Sequence, residues 1–489
     1  MKLFEQRRWR WLAALASGLM LSRAVSLAPI WWLAWIAPAP LLIAAFETSA
    51  GEAFLLAFAA GVIQATSIWH LMMVVNGPVA VVIFTILFGL LWALAISLAR
   101  AIVCASDFWL ATLAYPTAWA AVDTLLVVLW PHGTYGSMAI SQMNLLPLIQ
   151  IASIAGSAGI VFLMSIAASM AAVAAHKPRR AHPLLAYGTP AVVLLLGYGY
   201  GATRLASPAL SLPMRVAIVA IDRNDQTLDA AKQDPIWDRY LSDTDRLAGQ
   251  GAKLVVFSEA IALLDQQRQS ELSRRLSAEA RARSIYLVAG LAAKDGALIH
   301  NRAWVFGPDG RMLVSYAKHH LAPGLDAQLG TPGTGYSTFD LRGHRIGVAI
   351  CKDMDFPALP RHYRRLGVEA LVVPASDFGE DGWLHSRIAV LRGVEDGFSV
   401  IRSGEFGLLT ISDPYGRVLM QAPSKSGPGG TLMATLPLAR PITTVYSRIG
   451  NLLGFASIAA IALWLVTVLL SRSRAELEAA NVEAAVSRS

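Results

Sequence analysis

Three side chains with complementary chemistry stand where strand-like segments end. Glu259 ends KLVVFSE, Lys318 follows LVSYA, and Cys351 ends RIGVAIC. Strand ends are where α/β domains tend to place catalytic groups. Because a free thiol with a pKa of about 8.5 is mostly protonated at neutral pH, Cys351 needs a base to become nucleophilic, and Glu259 is a candidate. The ammonium of Lys318, with a backbone N–H near the nucleophile, would stabilise the charge on an acyl oxygen under attack, so the set predicts acyl transfer through a thioester.

Each of the three residues also has a purely structural interpretation. A cysteine after a strand is commonly a small buried hydrophobic residue, and a glutamate or lysine at a strand end is commonly solvated. The joint occurrence of Glu259, Lys318 and Cys351 in this order favours catalysis. The other cysteine, Cys104, lies near the end of a hydrophobic segment, where we expect it to serve in packing.

The composition excludes several classes of protein. Of the 489 residues, 55% are hydrophobic and only 15% are charged, and the mean hydropathy is +0.50. Soluble domains carry roughly 25% charged residues, so a plain soluble enzyme and a disordered protein are both excluded. The net charge of +8 does not predict nucleic-acid binding, because a basic excess on an apolar chain is typical of cytoplasmic Lys and Arg beside membrane spans.

No metal or organic cofactor is expected. Acyl transfer by a glutamate, a lysine and a cysteine requires none, and the sequence has no cluster of His and Cys ligands. His319 and His320 are adjacent, and adjacent side chains seldom converge on one ion, so they predict a polar loop. Two cysteines also exclude a disulfide framework.

Hydrophobic segments of about 20 residues, the length of a membrane-spanning helix, occupy the first 205 residues and recur near the end of the chain. The predicted spans lie near 10–27, 29–46, 52–75, 78–99, 108–130, 147–175, 184–203 and 449–470. The sequence therefore predicts a seven-span membrane domain over 1–205, a polar domain over 212–440, a transmembrane helix over 449–471 and a tail over 472–489.

The Lys and Arg residues of the short loops predict the orientation of these spans. One side of the membrane collects nearly all of them: Lys2, Arg7, Arg8, Arg10, Arg100, Lys177, Arg179, Arg180, Arg472 and Arg474. Short loops on the other side are nearly free of Lys and Arg, with Arg23 the exception. The pattern predicts a cytoplasmic N-terminus and a polar domain on the outer, periplasmic side.

The polar domain has the pattern of an α/β fold. Strand-like segments alternate with helix-like ones, which is typical of a sheet covered by helices. The predicted strands are 214–222, 253–260, 285–293, 344–353 and 369–377. The predicted helices lie near 234–249, 267–283, 358–366 and 383–397. The segments GPDG (307–310) and DPYG (413–416) are typical of turns that join hairpin strands.

In these contexts, Glu259, Lys318 and Cys351 resemble the catalytic set of the nitrilase (carbon–nitrogen hydrolase) superfamily, and within it the whole chain resembles the bacterial apolipoprotein N-acyltransferase family. The matching runs are GTYGSMAISQMNLLPLIQIASIAGSAGIVFL (133–163), HNRAWVFGPDG (300–310), YAKHHLAP (316–323), VAICKDMDFP (348–357), the stretch from His385 to Gly407, and TTVYSRIGN (443–451). The resemblance implies a multi-span α-helical membrane domain plus a nitrilase-like αββα sandwich, placed between the seventh and eighth spans on the periplasmic side.

The resemblance also implies a function. The chain would be an N-acyltransferase of the cell inner membrane, with a phospholipid as acyl donor and the α-amino group of a diacylglyceryl-cysteine lipoprotein as acceptor. Cys351 would attack the donor ester, Glu259 would take the thiol proton, and Lys318 would hold the oxyanion. We expect a monomer that does not bind nucleic acid.

The chain departs from the family pattern close to the nucleophile. The family usually has Tyr and Glu after the cysteine, where this chain has Lys352 and Asp353. The family's auxiliary Glu corresponds to Asp326, which keeps the charge on a shorter stem, and Asp353 is a second candidate for an auxiliary carboxylate. Two alternatives therefore stay open: an acyltransferase with a different acceptor, and a membrane-tethered nitrilase-type amidase that gives the thioester to water. The intact catalytic set argues against a third, an inactive lipid-binding protein.

Three aromatic residues near the nucleophile are candidates for a lid that meets the lipid: Phe356, Phe378 and Trp383. Phe and Trp side chains favour the membrane–water interface, where a lipid ester lies. The alternative is that each of them packs inside the polar domain.

The predicted orientation can be tested with reporter fusions. A reporter that is active only in the periplasm, fused near residue 230, should be active, because seven spans carry this position across the membrane. The same fusion to a reporter that is active only in the cytoplasm should be silent. The opposite pair of results would overturn the orientation.

Overall fold

The protein consists of a bundle of apolar helices packed against an α/β sandwich, in a computed structural model that describes residues 6–105, 109–176, 182–206, 211–222, 230–322, 330–425, 430–439 and 442–486. The bundle comes first in the chain, and the last helix returns to it after the sandwich. This arrangement confirms the predicted fold class.

The helices of the bundle follow the predicted hydrophobic segments. They are α1 (Arg7–Ala24), α2 (Leu33–Ile36), α3 (Pro38–Phe46), α4 (Ala50–Ala65), α5 (Trp69–Ala105), α6 (Ala114–Leu129), α7 (Leu146–Ile149), α8 (Ala152–His176) and α9 (Pro183–Ala206). Four helical segments of the described chain are long and apolar enough to cross a membrane: Ala50–Ala105, Leu110–Leu129, Ala152–His176 and Pro183–Ala206. The chain is therefore a membrane protein.

The span boundaries differ from the prediction where helices break. The segment predicted at 29–46 is the shorter apolar stretch Leu33–Phe46, which Pro38 divides because it lacks the N–H that would continue the helical ladder. The long stretch Ala50–Ala105 holds two predicted spans and bends at Gly77, whose φ of 78° is left-handed. Helix α1 spans 18 residues and carries four arginines, and it is not among the four long apolar segments.

The end of the chain is helical beyond the predicted last span. Helix α14 (Val445–Ile449) leads into α15 (Leu452–Val486), whose apolar part is Leu452–Val468. The predicted tail begins within α15, although the side chains of Arg472 and Arg474 lie outside the described ones. Lys177, Arg179 and Arg180, on which the predicted orientation also depends, fall outside the described residues.

The α/β part contains two sheets and their covering helices. Its strands are β1 (Ser211–Val219), β2 (Leu254–Val256), β3 (Leu263–Leu264), β4 (Tyr286–Asp295), β5 (Leu298–Phe306), β6 (Met312–Ala317), β7 (Ser337–Leu341), β8 (His344–Val348), β9 (Ala370–Ser376), β10 (Ser399–Glu405), β11 (Leu408–Ser412), β12 (Val418–Pro423) and β13 (Thr431–Ala439). Its helices are α10 (Ala230–Gly249), α11 (Gln266–Arg283), α12 (Ala358–Arg365) and α13 (Gly382–Asp396). The predicted turns at 307–310 and 413–416 join β5 to β6 and β11 to β12.

Two sheets lie face to face in the middle of this part. The strand order is β13-β1-β2-β4-β5-β6 in one sheet, with β3 beside β4, and β12-β11-β10-β9-β8-β7 in the other. Apolar side chains of both sheets, such as Val256, Val288, Val348 and Val372, fill the space between them. Helices α10 and α11 cover the first sheet, and α12 and α13 cover the second, which gives the αββα layers that the family resemblance implied.

Helix α13 connects the sandwich to the membrane bundle. Its residue Ala389 packs towards the second sheet, while Ile388, Leu391 and Val394 join the core of the membrane helices. The contact is also polar, because the backbone N–H of Ser157, just after the bend of α8 at Gly156, donates to Glu395 at 3.1 Å.

The carboxylate of Glu395 should therefore stabilise the junction. It also pairs with the fully buried guanidinium of Arg392 at 2.5 Å, and removing one partner of a buried pair costs about 3–5 kcal/mol. We expect Glu395→Ala to lower the melting temperature of the detergent-solubilised protein by several degrees. Glu395→Gln keeps an oxygen that can accept the Ser157 N–H, so its melting temperature should fall by less. Equal melting temperatures for Glu395→Ala and the unmodified protein would contradict this role.

Candidate active site

Glu259 lies three residues beyond the end of β2, at the edge where strands of both sheets meet. Its side chain is buried, and one carboxylate oxygen accepts hydrogen bonds from Lys318 Nζ and from Asn301 Nδ2, both at 2.7 Å. The other oxygen accepts from the backbone N–H of Ser376 at 3.0 Å. Three donors therefore fix the orientation of the proposed base.

Lys318 follows directly after β6, and its ammonium is buried with the carboxylate of Glu259. The backbone around it is held as well. The N–H of Lys318 donates to the carbonyl of Asn301 at 2.9 Å, and its carbonyl accepts from the N–H of Gly333 at 2.8 Å. These two hydrogen bonds hold the backbone of Lys318 in place at the end of β6. Its ammonium therefore lies at a defined position next to the proposed base.

Cys351 stands on a sharp turn after β8. The strand ends at Val348, and Cys351 opens a 3-10 helix over Cys351–Asp355, so the strand predicted to reach 353 is shorter than expected. The φ of Cys351 is 41°, a left-handed conformation that costs a non-glycine residue about 1–3 kcal/mol. The surrounding structure must hold this turn, which presents the thiol at the strand edge, 3.6 Å from the carbonyl oxygen of Ser376.

The thiol of Cys351 is protonated at rest. Burial raises the pKa of the thiol well above its ordinary value, and the negative charge of Glu259 raises it further, against the opposing charges of Lys318 and Arg402. A nucleophilic role for this thiol would therefore require its proton to leave as the sulfur attacks, and the carboxylate of Glu259 is the candidate to receive it.

Asp353, predicted as an auxiliary carboxylate, links the turn of Cys351 to the loop of Lys318. One oxygen accepts from the backbone N–H groups of His319 and His320, at 3.1 and 2.9 Å. The other accepts from Tyr316 Oη at 2.7 Å and from the N–H of Ile350 at 3.0 Å. The residue is fully buried and also lies 3.2 Å from Nδ1 of His320, and these contacts link the turn of Cys351 to the loop of Lys318.

Two further features of the site were not identified as site residues from the sequence. Asn301, a buried residue of β5, donates to the proposed base. Asp377 forms a buried ion pair with Arg402, with one contact of 2.9 Å, directly after the Ser376 N–H that also donates to the base. The available signal was the position of these residues in the runs that match the family, since Asn301 lies within 300–310 and Arg402 within the stretch from His385 to Gly407.

The lid candidates are half-buried at the membrane side of the site. The ring of Phe356 stacks on His320, with ring centroids 4.1 Å apart. Phe378 and Trp383 pack against the core of the membrane helices, and the guanidinium of Arg387 lies over the Trp383 ring at 5.3 Å. Asp326 lies outside the described residues. Within the described residues, no group of three or more His, Cys, Asp or Glu side chains is arranged to hold a metal ion.

Two family models match successive parts of the chain. The model described as the apolipoprotein N-acyltransferase N-terminal domain matches residues 17–170, and the carbon-nitrogen hydrolase model matches residues 215–444. The first falls on the membrane helices, and the second contains every residue of the candidate site.

Individual relatives match either most of the chain or a smaller part of it. The apolipoprotein N-acyltransferase of Geobacter metallireducens is 27% identical over 462 residues, which cover 84% of this chain and 87% of that protein. The omega-amidase of Mus musculus is 32% identical over 172 residues, and the match covers 31% of this chain and 62% of the amidase. A solved amidase from Nesterenkonia sp. AN1 covers 46% of this chain at 22% identity, with a TM-score of 0.41.

The contacts of Asp353 predict a large effect on catalysis. In Asp353→Ala the loop of Lys318 and the turn of Cys351 lose their shared acceptor, and a misplacement of about 1 Å can cost on the order of 100-fold in rate. We expect the acyl-transfer rate of Asp353→Ala to fall by about 100-fold, measured in membranes that contain as much of the variant as of the unmodified protein. Asp340→Asn, at an exposed carboxylate that accepts a backbone N–H, is the matched control. Full activity in Asp353→Ala would show that Asp353 is not needed to position the site.

Proposed function

The chain belongs to the apolipoprotein N-acyltransferase family of the carbon–nitrogen hydrolase superfamily, and on that premise we propose how its side chains perform the reaction. The enzyme moves an acyl chain from a membrane phospholipid to the α-amino group of a diacylglyceryl-cysteine at the N-terminus of a lipoprotein. The observation that carries the mechanism is the buried ion pair of Glu259 and Lys318, 2.7 Å apart, at the strand edge that also presents Cys351.

The first half-reaction forms a thioester. The sulfur of Cys351 attacks the ester carbonyl of the phospholipid while Glu259 takes the thiol proton. Negative charge develops on the carbonyl oxygen, where the ammonium of Lys318 and the backbone N–H after the nucleophile stabilise it. The ester C–O bond then breaks, and the departing lyso-phospholipid oxygen receives the proton from Glu259.

The second half-reaction consumes the thioester. The lipoprotein amine enters after the lyso-phospholipid has left, and Glu259 takes a proton from the amine as its nitrogen attacks the thioester carbonyl. The C–S bond breaks, and Cys351 recovers its proton. The two steps share one base and one oxyanion site, so the kinetics are ping-pong.

The location of the reaction follows from the lipid donor. We propose that the bundle over 1–205 and the helix over 449–471 anchor a monomer in the inner membrane, with the domain over 212–440 in the periplasm. The loop that carries Phe378 packs against the membrane helices, which supports a site that opens towards the lipid interface. Asp326 is proposed as an auxiliary carboxylate beside Lys318.

The thioester can be trapped. Purified protein incubated with labelled phospholipid and no acceptor should acquire a label that neutral hydroxylamine removes, because hydroxylamine cleaves thioesters. Cys351→Ser should carry no such label, whereas Cys104→Ser, a matched change at the only other cysteine, should label normally. Absence of the label from the unmodified protein, or equal label on Cys351→Ser, would refute the mechanism.

A further inference from the structure

The turn of the proposed nucleophile also contacts the membrane bundle. The contact is made by the segment 130–136, which follows α6 and is called here the α6 loop. The side-chain amine of Lys352, the residue after the nucleophile, lies 3.2 Å from Nδ1 of His132 in this loop. Lys352 is buried, so the contact is shielded from solvent.

A second pair of contacts joins the α6 loop to the end of the same turn. The carbonyl oxygen of Asp355 accepts from the backbone N–H of Thr134 at 3.0 Å and from its hydroxyl at 2.8 Å. Gly133 adopts a φ of 53°, and a Cβ added there would lie 2.5 Å from the same carbonyl oxygen. The two backbones therefore approach as closely as a glycine allows.

The charges around these contacts are arranged to hold one geometry. The carboxylate of Asp355 lies 3.7 Å from the amine of Lys352 and 3.6 Å from His385, which also pairs with Asp381 at 3.0 Å. Burial alone would lower the pKa of His385, but the two carboxylates outweigh it and raise the pKa to about 10. Positive and negative groups thus alternate next to the nucleophile turn.

His132 is the neutral member of this cluster. Burial and the charge of Lys352 lower the pKa of His132 to about 4, so its imidazole is uncharged at neutral pH. A neutral imidazole can accept a hydrogen bond from the ammonium of Lys352 through Nδ1. A protonated ring would repel the ammonium instead.

We propose that His132 and Thr134 are positioning residues for the nucleophile, acting through Lys352 and Asp355, so that the membrane bundle completes the active site. This inference deepens the proposed acyl transfer and rests on it. Cys351 occupies a strained left-handed conformation that its surroundings must maintain. Asp353 holds the turn from the sandwich, and the α6 loop holds it from the membrane bundle.

The proposal also accounts for the residue after the nucleophile. The family usually carries Tyr where this chain has Lys352, and the lysine here has a partner of matching chemistry in the α6 loop. His132 and Lys352 therefore act as one unit. Losing either should displace the turn, and the second substitution should add little.

The test compares single-turnover thioester formation in the full-length, detergent-solubilised protein. The variants are His132→Ala, Lys352→Met and the double variant, and His182→Ala is the control at an exposed histidine before α9. We expect the maximal rate to fall by about 10- to 100-fold in each single variant, from displacement of the nucleophile. The phospholipid concentration at half-maximal rate should stay constant, and the double variant should be no slower than the slower single variant.

Conservative replacement separates positioning from folding. Asn places an amide oxygen near the position of the imidazole Nδ1, so His132→Asn should recover most of the lost rate. An unchanged maximal rate in His132→Ala would overturn the proposal. So would multiplicative losses in the double variant, or a change confined to the half-maximal phospholipid concentration, which would instead indicate a role in lipid binding.

A measurement without phospholipid keeps this inference apart from the proposed function. In a Cys104→Ser background, Cys351 is the only thiol, and iodoacetamide reports its reactivity directly. Slower alkylation in His132→Ala, restored in His132→Asn, would support positioning even if no labelled thioester formed on the unmodified protein. Equal alkylation rates in all variants would overturn the inference while leaving the acyl transfer itself intact.

Discussion

The candidate active site depends on one buried carboxylate, Glu259, that joins two sheets. Glu259 receives hydrogen bonds from Lys318 and Asn301 of the first sheet and from the Ser376 N–H of the second. An ionised carboxylate taken out of water without partners costs several kcal/mol, so the base is tolerated only when both sheets are packed. The same packing delivers Cys351 to that edge. Folding of the sandwich and assembly of the catalytic set are therefore one event.

The turn of Cys351, the proposed nucleophile, is held by two different parts of the molecule. Asp353 ties its turn to the loop of Lys318, within the sandwich. The turn also contacts the α6 loop of the membrane bundle. It lies near helix α13, which packs against the core of the membrane helices. A lipid ester lies at the membrane surface, so a nucleophile fixed relative to both parts meets its donor without a large movement of the sandwich.

The sequence predicted the fold and the catalytic candidates because both leave strong local patterns. Alternating strands and helices indicate covered sheets, and polar residues at strand ends indicate groups at one edge. It could not predict the acceptor role of Asp353, because most of the groups that it binds, in Tyr316, His319 and His320, are more than 30 residues away in the chain. Asn301 was missed because it is one of three adjacent polar residues in β5, and the sequence does not show which of them contacts Glu259. Hydropathy located the helical segments and the boundary near Gly77, but not the break at Pro38, which lies inside a continuous apolar segment.

The most direct test of the account is to replace the endogenous N-acyltransferase of a depleted bacterial strain with this chain and read the lipoprotein N-termini by mass spectrometry. The account predicts that the unmodified chain restores growth and adds a third acyl chain, on the α-amino group, whereas Cys351→Ala does neither. If the chain is present in the membrane and forms its thioester while the lipoproteins keep a free amine, the acceptor is not a lipoprotein. That result would contradict the central claim.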